Sequence, residues 1–276
     1  MMTQRVLEWV TARLREGEPV ALASVISAQG SVPGKPGAHM AVTAAEVYGT
    51  VGGAGLEVKV MNHLRELLLT GEGRVETYQL QRDSTASVGT KLNSLCGGIV
   101  TVAMEVIQPM PHILLAGGGH CAQAIADASA ALGWNISVLD VRPEYANEEL
   151  WPDADECIAS EPGDFLRRET TESLARFSHI LLLGHDWEID EALLIGLLER
   201  CEERPRIGCI GSRSKWKAFE KSALDAGITQ DTIDTVICPI GVNIGAESPQ
   251  EIAVAVLAEI IADLKGVEPA SATWRD

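Results

Sequence analysis

Apolar and polar positions along this chain follow two different rhythms. The first stretch, M-M-T-Q-R-V-L-E-W-V-T-A-R-L-R-E-G-E, spaces its apolar residues as an amphipathic, charged helix does. An apolar run over 20–27 predicts a strand, and a loop of small residues, A-Q-G-S-V-P-G-K-P-G-A, follows it. Short strands are predicted at 39–42 and 47–51. A glycine cluster, Gly52-Gly53-Ala54-Gly55, then precedes a helix from Leu56 to about Leu69. A strand at 75–80, a polar loop leading to Leu95-Cys96-Gly97-Gly98, and a strand at 99–107 complete this part.

Beyond the Q-P-M-P stretch at 108–111 the rhythm changes to strands alternating with helices. Strands are predicted at 112–116, 136–139, 180–183, 207–210 and 236–238. The helices follow Gly119 and cover 190–200, 215–226 and 251–264. Such alternation implies a parallel sheet with helices on both faces. The expected fold class is therefore α/β, with an N-terminal α+β domain over 1–108 and a Rossmann-like, doubly wound parallel-sheet domain over 109–276.

The most informative segment is P-H-I-L-L-A-G-G-G-H-C-A-Q-A-I-A-D-A-S-A-A-L-G-W-N-I-S-V-L-D, from Pro111. It reads as strand, glycine turn, alanine-rich helix, strand and terminal acid. Gly117, Gly119 and Ala122 fill the small positions of the G-x-G-x-x-G/A fingerprint, and Asp140 stands where a ribose-binding acid sits. Glycines let the backbone approach a pyrophosphate, and the helix start offers free N–H groups and partial positive charge. The same turn also suits a Rossmann-like domain that uses it only for packing.

Ligands of open parallel sheets bind at the carboxyl ends of strands. Those ends carry Gly117 to Gly119, Asp140 with Arg142, His185 with Asp186, and Gly211-Ser212-Arg213. Arg213 suits an anionic group and Ser212 a hydroxyl donor. His185 reads either as a proton carrier or as a hydrogen-bonded turn residue. Arg142 reads equally as a surface salt-bridge partner. In the first domain, Gly52, Gly53 and Gly55 at a helix start form a second candidate anion cradle. Cys96, followed by two glycines, reads as a thiolate for sulfur or a soft metal, or as a small buried thiol.

The bulk numbers narrow the partners. A net charge of -17 over 276 residues argues against nucleic acid and against an anionic membrane surface. No segment has the length of a membrane span and the N-terminus has no apolar signal core. The six cysteines lack zinc spacing, which fits reduced thiols and a cytoplasmic location. The N-terminal helix permits a homodimer.

Together these segments resemble the XdhC/CoxI family, the xanthine dehydrogenase accessory proteins. The resemblance runs through A-L-A-S-V-I-S-A-Q-G-S-V-P-G-K-P-G-A-H-M at 21–40, G-T-V-G-G-A-G-L-E at 49–57 and L-C-G-G at 95–98. It continues through the Gly117 fingerprint, D-V-R-P at 140–143, G-H-D at 184–186 and I-G-S-R at 210–213. It ends in P-I-G-V-N-I-G-A-E-S-P-Q-E-I-A-V-A-V-L-A-E-I at 239–260. The resemblance implies a molybdenum-cofactor chaperone with no turnover of its own. Such a protein binds molybdopterin, supports its sulfuration with a cysteine desulfurase, and hands it to a molybdenum hydroxylase client. It makes Cys96 the candidate cofactor or sulfur contact. Gly34 and His39 stand where many members have arginine, and Asn243 replaces a common aspartate. The competing reading is an NAD(P)-dependent oxidoreductase using the Gly117 fingerprint, with Asp140 favouring a ribose 2′-hydroxyl over a 2′-phosphate. A docking protein with a vestigial nucleotide site is a third.

Overall fold

The computed structural model describes residues 2–80, 90–92, 97–201 and 205–268. The chain divides into two compact units, Met1–Pro109 and Met110–Asp276.

The first unit opens with helix α1 (Met2–Arg15). Strands β1 (Val20–Gly30), β2 (His39–Val42) and β3 (Val47–Gly49) follow, then α2 (Ala54–Thr70), β4 (Arg74–Leu80), β5 (Thr90–Leu92) and β6 (Gly98–Ile107). The strands form one sheet in the order β3-β2-β1-β6-β4-β5, antiparallel except for the β4–β5 pair. β1 explains why its sequence lacks polar alternation. Ala21, Ala23 and Val25 face the core that holds Leu56, Val60 and Leu64 of α2, while Val20 and Leu22 face Val6 and Val10 of α1. Successive side chains point to opposite faces, and a helix covers each face. A register shift between Val25 and Ser27 bulges the strand, and Ile26 is exposed there.

The second unit runs β7 (His112–Ala116), α3 (His120–Ala130), β8 (Asn135–Asp140) and a 3-10 turn at Pro143–Tyr145. It continues through β9 (Glu156–Ala159), α4 (Pro162–Arg168), α5 (Thr171–Leu174), β10 (His179–Leu182), α6 (Trp187–Leu198) and β11 (Arg206–Cys209). It closes with α7 (Arg213–Asp225), α8 (Gln230–Ile233) and α9 (Pro249–Lys265). All strand pairs are parallel, in the order β11-β10-β7-β8-β9. This is a Rossmann arrangement, and its order reverses between β7 and β10, the switch point where ligands bind. Ile113 and Leu115 of β7 pack under α3 and α9 with Ile125, Val256 and Ile260. Leu114 and Ala116 pack on the other face with Phe165, Leu194 and Phe219.

The strand expected at 236–238 is reduced to one parallel bridge between Gly208 and Ile237. Pro239 follows at once and has no N–H to extend a ladder. The sequence reading also lacked β5, β9, α4, α5 and α8, all short. The P-I-G-V-N-I-G-A-E-S block packs on α9: Gly241 N donates to Glu259 Oε2 at 2.8 Å and Val242 N to the Ala255 carbonyl at 3.1 Å. Ser248 then starts α9 with a reciprocal capping box to Glu251, with Pro249 in the first turn. Among the described residues no helix is long and apolar enough to cross a membrane.

Candidate functional site

The candidate site lies at the carboxyl ends of β7, β8 and β10. Gly117 has φ +110, and its N–H donates to the Leu139 carbonyl at 2.8 Å. A Cβ at Gly117 would meet Gly184 N at 2.7 Å, and one at Gly118 would meet the Tyr145 carbonyl. That carbonyl also accepts from Trp151 Nε1 at 2.7 Å, so the turn facing Gly118 is pinned. Gly119 differs: its backbone is extended, it precedes α3, and a Cβ there would meet nothing within 4 Å. Two glycines of the triplet serve chain packing, and the third leaves the first turn of α3 open.

Asp140 is buried at the end of β8, and both of its oxygens are engaged. Oδ2 accepts from Gly118 N and Arg142 Nη2, each at 2.9 Å, and Oδ1 accepts from Arg142 N at 3.0 Å and Arg142 Nε at 2.9 Å. Burial pushes this carboxyl up, but the hydrogen bonds from Arg142 and Gly118 outweigh it and hold it below the usual carboxylate range. The Arg142 guanidinium stacks over the Tyr145 ring, 3.8 Å from its centroid. The acid expected to receive a ribose hydroxyl is thus spent within the protein.

Beside it lies a crevice enclosing about 30 Å³, with Ala116, Leu139, Ile189 and Leu193 as apolar wall and Asp140, His185, Asp186 and Asp190 as polar lining. That volume holds a water, not a nucleoside, so a larger ligand would lie across the crevice mouth. His185 is exposed on this rim. Asp186 caps α6, accepting from Glu188 N at 3.0 Å.

Asp190 and Lys215 are the pair that sequence reasoning missed. Asp190 is 2 % exposed, and its Oδ2 accepts from Lys215 Nζ at 2.7 Å. Burial raises the Asp190 carboxyl against the opposing pull of Lys215 and of the Gly184 N–H. Nothing local marks this pair: the first turn of α6 also carries Glu188, and Lys215 lies in the first turn of α7. Ser212 caps α7, accepting from Lys215 N at 3.3 Å, and Arg213 is exposed beside it. Both stand at the β11 end, outside the residues that line the crevice.

In the first unit, Gly52 has φ +114 and a Cβ there would meet the Gly34 backbone. One at Gly53 would meet Pro33 Cγ at 2.8 Å, and one at Gly55 would meet nothing within 4 Å. A Cβ at Gly34 would meet the Val51 carbonyl, so no arginine fits at that position without moving the loop. His39 Nδ1 pairs with Ser24 Oγ at 2.8 Å. Glu57, in the first turn of α2, accepts from the Thr50 hydroxyl and from Gly52 N at 3.3 Å. Cys96 lies outside the described residues. Burial pushes the Cys201 thiol up to about 11 and Cys209 higher still, which suits inert packing thiols. No three His, Cys, Asp or Glu side chains among the described residues group as a metal site.

The XdhC Rossmann domain family matches residues 113–260, and the XdhC and CoxI family matches residues 13–79. This chain belongs to the XdhC and CoxI family. The uncharacterized protein YqeB of Escherichia coli (strain K12) is 32% identical over 255 residues, 91% of this chain and 44% of that protein. A Bacillus subtilis (strain 168) protein, named as a probable subunit of xanthine dehydrogenase, is 30% identical over 166 residues, 59% of this chain and 46% of its own length. The chain thus spans about half the length of these curated relatives. A solved structure described as a xanthine dehydrogenase from Bacillus halodurans shares the fold, with a TM-score of 0.50 at 20% identity, covering 99% of each chain.

Proposed function

We propose that this protein binds the molybdenum cofactor, supports its sulfuration and delivers it to a molybdenum hydroxylase such as xanthine dehydrogenase. The observation that carries this reading is the XdhC Rossmann match across 113–260, in which the switch-point crevice falls. A family with an accessory role in xanthine dehydrogenase maturation supplies the client. The cysteine desulfurase partner, the role of Cys96 and the division into an N-terminal domain to 108 and a Rossmann-like domain from 109 belong to the same proposal.

The residues present fit the phosphate end of such a cofactor. Gly119 leaves the first turn of α3 open, and Arg142 shares Asp140 Oδ2 with Gly118 N in the turn that precedes it. Those groups would hold the phosphate through N–H donors and a guanidinium. When bound, the cofactor would supply the molybdenum centre that accepts sulfur. The chain's own part is to bind, to orient and to release.

The NAD-dependent dehydrogenase reading is less well supported, because Asp140 is already engaged by Arg142 and Gly118. The test mixes the purified chain with a cofactor source and a cofactor-deficient molybdenum hydroxylase. Client activity is expected to rise, and the chain alone is expected to produce no NADH from xanthine. Steady NADH production by the chain alone, abolished by His185→Ala, would favour the oxidoreductase instead.

A further inference from the structure

We infer that Arg142 sets the ligand specificity of the Rossmann crevice, closing the acceptor that a ribose hydroxyl needs and offering a guanidinium edge to a phosphate monoester. This rests on the reading that the crevice mouth holds a phosphorylated cofactor.

In dinucleotide-binding proteins the acid at this strand end accepts from the ribose 2′-hydroxyl. A carboxylate has about four acceptor positions. Asp140 receives four donors from the protein itself: Gly118 N, Arg142 N, Arg142 Nε and Arg142 Nη2. A ribose diol arriving here meets an acid with no acceptor position to give. It would have to break a charge-assisted bond to gain one.

The cation is placed differently. Arg142 uses its Nε and Nη2 edge on Asp140, which leaves the Nη1 edge directed elsewhere. Its plane is fixed by the Tyr145 ring at 3.8 Å. Its side chain is 31% exposed, against 4% for Asp140, so an approaching ligand meets the cation and not the acid. Arg142 Nη2 and Gly118 N share the single oxygen Oδ2, which sets the guanidinium beside the glycine turn. A planar guanidinium with a spare edge matches two oxygens of a phosphate. Two ligands carry that chemistry: the 2′-phosphate of NADP+ and the terminal phosphate of molybdopterin.

The test is calorimetric titration of the full chain with NADP+, NAD+ and isolated molybdopterin, for wild type and two variants. Wild type is expected to bind at least one of the two phosphate monoesters, and NADP+, if it is that ligand, about tenfold or more tighter than NAD+. Arg142→Ala is expected to weaken that ligand about tenfold or more, while NAD+ binding holds or rises as Asp140 is released. Asp140→Asn keeps an acceptor for Gly118 and keeps the guanidinium, so phosphate preference is expected to persist; this variant decides the matter if Arg142→Ala does not fold. A response confined to molybdopterin or to NADP+ identifies the source of the phosphate. Measurable binding of NAD+ and NADP+ with equal affinity by wild type would overturn the inference, as would parallel losses for every ligand in Arg142→Ala or no binding of either monoester. Client activation that fails while NADP+ binding depends on Arg142 would sink the carrier function and leave this inference standing.

Discussion

Two glycine turns open helices in this protein, Gly52 to Gly55 before α2 and Gly117 to Gly119 before α3. Each directs a backbone N–H to an internal carboxylate: Gly52 to Glu57 and Gly118 to Asp140. Each spends its inner glycines on packing against another loop and leaves its last glycine in open space. The difference is in charge. Asp140 is neutralised by a bidentate arginine, whereas Glu57 is held by the Thr50 hydroxyl and the Gly52 N–H, both neutral donors. An uncompensated carboxylate at a helix start occupies the place an anion would take and repels a second one. A glycine-rich turn is therefore no measure of phosphate affinity by itself. The carboxylate inside it, and what neutralises that carboxylate, make the second turn the better candidate under the proposed function.

The largest expected effects come from filling the inner positions. Gly117→Val and Gly52→Val each place a side chain at positive φ against neighbouring backbone. Strain and overpacking together cost about 3 kcal/mol or more. Denaturant unfolding of both variants should show this loss, so neither reads ligand contact cleanly. Gly119→Ala and Gly55→Ala meet nothing and need no unusual backbone, and stability should hold within about 0.5 kcal/mol. Cofactor affinity should then fall for Gly119→Ala only. A fall for Gly55→Ala alone would move the site to the first unit.

Removing the two carboxylates gives a smaller contrast. Asp140→Ala strips a buried acceptor from Gly118 N and from Arg142, and should cost about 2–4 kcal/mol in denaturant unfolding. Glu57→Ala removes a helix-start acceptor that is half-buried, and about 1 kcal/mol is expected. Equal losses would show that the arginine adds nothing to the second turn.

Much of this was legible beforehand for physical reasons. The β7–turn–α3–β8 run shows because buried parallel strands are continuous apolar stretches and glycine is needed at the Gly117 conformation. Glu156 to Ala159 stayed hidden because a short, half-buried edge strand has no apolar run to announce it. The occupancy of Asp140 was hidden too. Its type and position match a ribose acid, and only the fold reveals that Arg142, two residues on, turns back onto it. Asp190 and Lys215 are 25 residues apart, and their pairing is purely tertiary.

The smallest expected effect separates the two ends of β7. His112 begins that strand, buried, with Nε2 on Ser137 Oγ at 2.8 Å and its ring edge-on to Phe177. Burial lowers its pKa; Asp155 and Glu156 oppose this and Arg176 assists it. A histidine with a depressed folded-state pKa contributes stability that is full above its unfolded value, about 6.5, and is lost as pH falls through the folded value. Asp140, at the other end, is depressed from a lower starting point, so its contribution is full above about pH 4 and is lost only below that. Thermal melts from about pH 7 to pH 5 should therefore show a modest decline that belongs to the start of β7. His112→Gln, neutral throughout, should flatten that decline and leave the steeper loss below about pH 4 in place. If the decline between pH 7 and pH 5 survives His112→Gln unchanged, the acid sensitivity lies elsewhere.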